Sequence, residues 1–196
     1  MVWDAPLPPV VHPQWQLEPP PLRPQSLHLW WIPLAPEQPR QQILRYYLRR
    51  YCPHLPEAPL PVTKTGKPFL ADLHFNWSHS HDVALLAVSG AAAVGVDLEV
   101  VRPHAYREAI ARRFFGPQLQ AAPTPDRDRA FLYAWTYYEA WIKAHGGSLW
   151  QPPPPWQPHA AYRFRVGDRA VATVVSLSPL PPILQFLRQA PLSGSS

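Results

Sequence analysis

Asp97 and Glu99 stand two residues apart in Gly95-Val96-Asp97-Leu98-Glu99, where Val94, Val96, Leu98 and Val100 occupy the intervening positions. Such alternation predicts a half-buried strand. Successive strand side chains point to opposite faces, so the two carboxylates share a face, roughly 7 Å apart along the strand. Held that close, they repel each other unless a cation lies between them. The spacing alone leaves three readings open: an acidic face in solvent, a pair neutralised by arginines, or a site for a hard divalent cation. Mg2+ takes oxygen ligands and usually few of them from protein.

Two further groups bear on the choice. Glu139 and Lys143 lie four residues apart in a helical stretch. In isolation they are an ordinary surface ion pair. Beside Asp97 and Glu99 they would add a third carboxylate and an ammonium suited to a phosphate ligand. Ser78-His79 is read as following a strand, in a polar run near Lys64 and Lys67 that could take a phosphate.

The elements that must position these groups follow from periodicity. Residues 27–33 (LHLWWIP) read as a short strand. From 36 to 51 the period turns helical, with Pro36 and Pro39 in the first turn and Pro53 ending the helix. Its other face carries Arg40, Arg45, Arg49 and Arg50. Residues 83–89 and 94–101 read as strands, and 103–125 as a loop-and-helix region. The strongest helix runs from about 125 to 145, with Thr124 as N-cap, Asp126 and Asp128 near the positive end of the dipole, and Gly146-Gly147 as its stop. Phe131, Trp135, Tyr138 and Ile142 form its apolar stripe. Residues 162–166 and 170–177 read as a hairpin around Gly167-Asp168. Each half of the chain thus presents a helix followed by short antiparallel strands, an α+β pattern.

At 196 residues the chain suits one domain or two small halves sharing a core. Its 29 prolines cluster outside the periodic segments, as stiff extended connections. Lys+Arg 18 against Asp+Glu 13 gives +5, which suggests an anionic partner without choosing among nucleic acid, phosphorylated small molecules and acidic protein. A lone cysteine, Cys52, excludes an internal disulfide and a cysteine-rich zinc site. The N-terminal residues lack a signal-peptide pattern, and the longest apolar run is too short to span a bilayer, so a cytoplasmic protein is expected.

Four motifs in order, Gly66-Lys67-Pro68, Phe75-Asn76-Trp77-Ser78-His79-Ser80, Gly95-Val96-Asp97-Leu98-Glu99 and the run from Trp135 through Glu139 and Lys143 to Gly146, resemble the 4'-phosphopantetheinyl transferases of the monomeric, pseudo-twofold type. The resemblance covers about residues 64–147. It implies an α+β protein of two similar halves with the active site in the cleft between them, a first half over 27–92 and a second half over 93–189 carrying the metal carboxylates; composition adds a proline-rich arm over 1–26 and a loose tail over 190–196. It implies Mg2+ on Asp97, Glu99 and Glu139, gripping the pyrophosphate of coenzyme A. Glu139 and Lys143 would be catalytic. Lys67, Ser78, His79 and Lys143 would bind coenzyme A, with Arg40 and Arg45 standing in for basic side chains of a first half that is shorter than usual. An apo acyl or peptidyl carrier protein would dock at Arg112, Arg113, Phe114 and Phe115. The family usually has lysine where this chain has Tyr138. Neither a nucleic-acid nor a membrane partner is expected. Two alternatives remain: a catalytically impaired relative that binds coenzyme A or a carrier, and a basic nucleic-acid-binding module using the arginines of 40–51.

Overall fold

A strand buried on both faces sits at the centre of the molecule. β5 (Val83–Ser89) is buried throughout, sending Val83, Leu85 and Ala87 to one side and Ala84, Leu86 and Val88 to the other. The computed structural model describes residues 6–102, 107–115, 124–149, 159–178 and 181–189. The remaining strands are β1 (Val10–Val11), β2 (Trp15–Gln16), β3 (Ser26–Pro33), β4 (His74–Ser80), β6 (Val94–Val100), β7 (Ala160–Val166), β8 (Ala170–Ser176) and β9 (Ile183–Arg188). The helices are α1 (Arg40–Leu48), α2 (Arg107–Phe114) and α3 (Thr124–Ala144).

The strands form two mixed sheets, one ordered β2-β9-β3-β5-β4 and the other β1-β7-β8-β6. They pack face to face over Leu27, Leu29, Leu85, Val96, Leu98, Phe164 and Val174. Leu44, Tyr47 and Leu48 of α1 cover the outer face of the first sheet, against Trp30, Ile32 and Leu86. Ala140, Trp141 and Ala144 of α3 cover the outer face of the second, with Val171 and Val175. The result is a helix–sheet–sheet–helix stack, in which each sheet buries both faces as its apolar alternation requires. The α+β class is the one expected.

The expected boundaries shift where proline intervenes. The first helix starts at Arg40, not near Pro36, because Pro39 takes an extended conformation as N-cap (φ −61°, ψ 119°) and the residue before a proline is held out of the helical region. It stops at Leu48, ahead of Pro53. Ser78-His79 lies inside β4 rather than after a strand. The hairpin at Gly167 (φ +58°) and the stop at Gly146 (φ +69°) stand where expected, both in the left-handed region that glycine tolerates.

The chain crosses between the sheets at both ends. β9 runs parallel to β3 between β2 and β3, while β1 pairs in parallel with β7. Sequence periodicity did not indicate β1, β2 or β9. The proline tract at 152–158, the tail 190–196 and the Thr124 and Asp126 side chains lie outside the described residues.

Candidate active site

The site forms where the edge strands of the two sheets meet under the last turns of α3. Along β6, Val94, Val96 and Leu98 enter the core between the sheets, which turns Gly95, Asp97 and Glu99 toward α3. Gly95 allows the approach. A Cβ there would run into the Ala140 carbonyl oxygen and the Ala144 amide nitrogen, both backbone atoms of α3. The helix therefore lies directly on the strand, and its Glu139 and Lys143 reach the acidic pair.

Lys143 Nζ lies 2.5 Å from Asp97 Oδ1 and 3.1 Å from Glu139 Oε2, so its ammonium bridges strand and helix. Asp97 is buried, with its Oδ1 also accepting from the Ser78 hydroxyl at 2.7 Å. Its buried Oδ2 has no hydrogen-bond partner among the described residues. Glu99 Oε2 accepts from the Ser80 hydroxyl at 2.9 Å.

Burial, and then the negative charge of Asp97, pushes Glu139 up to about 7 despite the adjacent ammonium. The same two causes, burial first, raise Glu99 above the ordinary carboxylate range. Burial alone would lower Lys143, but Asp97 and Glu139 outweigh it and hold the amine above its usual value. One ammonium thus bridges two carboxylates, with Glu99 as a third acid beside them.

Among the described residues no three His, Cys, Asp or Glu side chains are gathered tightly enough to enclose an ion as they stand. The donor chemistry nevertheless fits a hard divalent cation. All candidate ligands are carboxylate oxygens, and one of them is buried and orphaned.

Beside the cluster lies an open cleft of about 320 Å³ lined by Lys67, Pro68, Phe75, Trp77, Lys143 and Ser148 among others. The turn at 63–67 forms one wall and is tied to the end of α3 by the Thr65 hydroxyl, which donates to the Gly146 carbonyl at 3.1 Å. Lys67 lines this cleft, yet its ammonium donates to the carbonyls of Lys143 (2.9 Å) and Val94 (3.3 Å), capping the last turn of α3. Burial, then the charge of Lys143, draws Lys67 down to about 8.

Other expected residues separate into two groups. Arg40 stands with the site, its guanidinium donating to His79 Nε2 at 2.8 Å. That contact requires an imidazole nitrogen free to accept, and burial followed by the arginine charge lowers His79. Arg45 is buried, and its guanidinium donates to the carbonyls of Pro56 and Ala58; no contact among the described residues joins it to the cluster. It staples the connection after α1 rather than reaching toward a ligand.

Arg112 and Arg113 are exposed on α2. Phe115 is buried against Phe131 and Tyr138, and half-buried Phe114 packs on Trp135 and Tyr138. Phe115 is therefore core and unavailable to a partner. Tyr138 belongs to this aromatic cluster, so the side chain at that position faces α2, on the side of α3 away from the sheet.

Sequence reasoning quoted Asn76, Ser80 and Gly95 within motifs but gave them no role. Their signal was the period-two polar run 76, 78, 80 set against the period-two pair 97, 99.

Residues 93–169 match the family described as the 4'-phosphopantetheinyl transferase superfamily. The chain is 39% identical over 94 residues to the 4'-phosphopantetheinyl transferase HetI of Nostoc, covering 43% of this chain and 40% of that one. It is 36% identical over 114 residues to the 4'-phosphopantetheinyl transferase AcpT of Salmonella typhimurium, covering 55% and 58%. With the Escherichia coli AcpT it shares 35% identity over 127 residues, covering 60% and 64%. The chain thus spans about half the length of the curated relatives it matches.

Proposed function

We propose that this chain, similar over residues 93–169 to the 4'-phosphopantetheinyl transferase superfamily, moves the 4'-phosphopantetheine group of coenzyme A onto a serine hydroxyl of an apo acyl or peptidyl carrier protein, releasing 3',5'-ADP. The observation that carries this reading is the Lys143 ammonium that bridges Asp97 and Glu139, with Glu99 two residues along the same strand face, beside the 63–67 turn. A basic nucleic-acid module would have no need to gather three carboxylates there, one of them buried.

Asp97, Glu99 and Glu139 would hold Mg2+, which when bound screens the diphosphate and polarises the reacting phosphorus. The chain's own groups do the rest. Lys143 carries its proton at neutral pH and donates to an oxygen of the departing phosphate. Glu139, or a water it orients, would take the proton of the carrier serine. The serine oxygen forms the new bond to the pantetheine phosphorus as the bond to 3',5'-ADP breaks. Phosphoryl transfer of this kind asks mainly for positioning and for positive charge where negative charge accumulates. Arg40 and His79, held together at 2.8 Å, would receive a phosphate of the nucleotide. Arg112 and Arg113 offer an acidic carrier its complement.

No described helix is long and apolar enough to cross a membrane. A monomer acting in the cytoplasm is the form we propose. Incubation of several unrelated apo carriers with coenzyme A and Mg2+, followed by mass spectrometry, tests the activity. A gain of one phosphopantetheine per carrier is expected. Coenzyme A binding without that gain would mark an impaired relative, and tight, salt-sensitive oligonucleotide binding in place of both would favour the nucleic-acid module.

A further inference from the structure

β4 and β6 are edge strands of different sheets, and no backbone ladder joins them. Side chains do so instead. Asn76 Oδ1 accepts from the Val96 amide at 2.9 Å. The Ser78 hydroxyl donates to Asp97 Oδ1 at 2.7 Å. The Ser80 hydroxyl donates to Glu99 Oε2 at 2.9 Å and accepts from the Val100 amide at 3.2 Å. Residues two apart on β4 thus serve residues on β6 in step, covering two edge amides that would otherwise lie unpaired in a largely buried seam.

The acids are held in a consistent way. Each has one carboxylate oxygen pinned by a β4 hydroxyl and the other left without a protein partner: Asp97 Oδ2 is buried and orphaned, and Ser80 is the only hydrogen-bond partner of Glu99 among the described residues. A carboxylate whose second oxygen is anchored presents the first in a fixed direction. We infer that Ser80 is a positioning residue: it aims Glu99 so that one oxygen faces the cation site, and Asn76 keeps the β4–β6 seam in register while it does so. This rests on the proposed function for the identity of what the acids hold.

Ser80 acts through Glu99, so the test reads the cation directly. Mn2+ binding is titrated by electron paramagnetic resonance with coenzyme A present, in wild type, Ser80→Ala, Ser80→Thr and Ser89→Ala. Ser89 lies at the opposite end of β5, where its hydroxyl accepts from the Ala91 and Ala92 amides, and it controls for simple loss of a buried hydroxyl. Ser80→Ala is expected to weaken Mn2+ binding about 10- to 100-fold, the usual cost of losing such an outer partner. It should also raise the Mg2+ needed for half-maximal carrier loading while leaving kcat at saturating Mg2+ near wild type. Ser80→Thr, which keeps the hydroxyl, should restore binding, and Ser89→Ala should leave it unchanged.

Mn2+ binding by folded Ser80→Ala within twofold of wild type would overturn the inference, as would equal weakening in Ser89→Ala. Should Ser80→Ala fail to fold, Ser80→Cys keeps the volume with a weaker donor and is held to the same criteria. Wild-type protein that neither binds Mn2+ nor loads a carrier removes the proposed function, and this inference with it. Normal wild-type behaviour with an indifferent Ser80 removes this inference alone.

Discussion

Gly95→Ala isolates the contact that brings strand and helix together. The added methyl would meet the Ala140 carbonyl oxygen and the Ala144 amide nitrogen well inside contact distance, and Ala144 Cα at 3.0 Å. Heavy-atom contacts of this kind are optimal at about 3.5–4.0 Å, so an overlap of roughly 1 Å or more must be relieved. No rotamer change can relieve it, because the opposing atoms are backbone. Either α3 lifts off β6 or the strand bows into the core between the sheets. Overpacking typically costs about 1–3 kcal/mol, and a backbone-to-backbone clash belongs at the upper end. For a chain of this size each kcal/mol shifts Tm by about 2–4 °C, so a fall of roughly 6–12 °C is expected. The displacement also stretches the 2.5 Å contact between Lys143 and Asp97, so loading of the carrier should fall further than stability does at a temperature where the variant is folded. Calorimetry and the carrier-loading assay, run at 20 °C, measure both. Unchanged Tm with unchanged loading would refute the claim that close helix–strand approach assembles the site.

Three other outcomes follow from the same geometry. Burial, then Asp97, raises Glu139 from 4.5 in the unfolded chain to about 7, so the native state binds the extra proton between those values and its stability falls as pH rises through about 7. The ionised form costs about 3 kcal/mol at pH 8, the attraction of Lys143 included; with a chelator present, Glu139→Gln should therefore gain stability over wild type at pH 8 relative to pH 5, and a difference independent of pH would contradict this. His28 is fully buried, its Nδ1 sharing a hydrogen bond with the Tyr51 hydroxyl at 2.9 Å, and burial lowers it from 6.5 to about 4. Stability tied to its neutral form is present above 6.5 and lost as pH falls through 4, by about 3 kcal/mol, and His28→Gln should flatten that part of an acid-denaturation curve. Asp97→Ala should lower carrier loading on the order of a thousandfold while circular dichroism stays native, because the residue is assigned to the cation and to Lys143; unchanged turnover in a folded protein would remove that assignment.

Much of the site was legible because it sits on regular elements. Period two in 94–100 placed Asp97 and Glu99 on one face, and the four-residue spacing placed Glu139 above Lys143. Both relations are local and survive in the fold. What joins the strand to the helix is not local: the Ala140 and Ala144 backbone that Gly95 admits, and the β4 hydroxyls, come from segments far apart in sequence. β9 was invisible for a related reason. Its residues show no strict alternation, and it gains strand structure by inserting in parallel between β2 and β3, a pairing of residues more than 150 positions apart. Arg45 and Phe115 show the opposite failure. A basic residue and an aromatic one looked available to partners, yet carbonyls at 56 and 58 and the side chains of Phe131 and Tyr138 had already engaged them.

Phosphorus relaxation in coenzyme A, measured with Mn2+ bound to the protein, tests the central claim most directly. The account predicts strong enhancement at the diphosphate phosphorus nuclei in wild type, weaker enhancement at the 3'-phosphate, and its loss in Asp97→Ala and Glu139→Gln alike. Enhancement that persists in either variant would contradict a single cation held jointly by the strand and the helix.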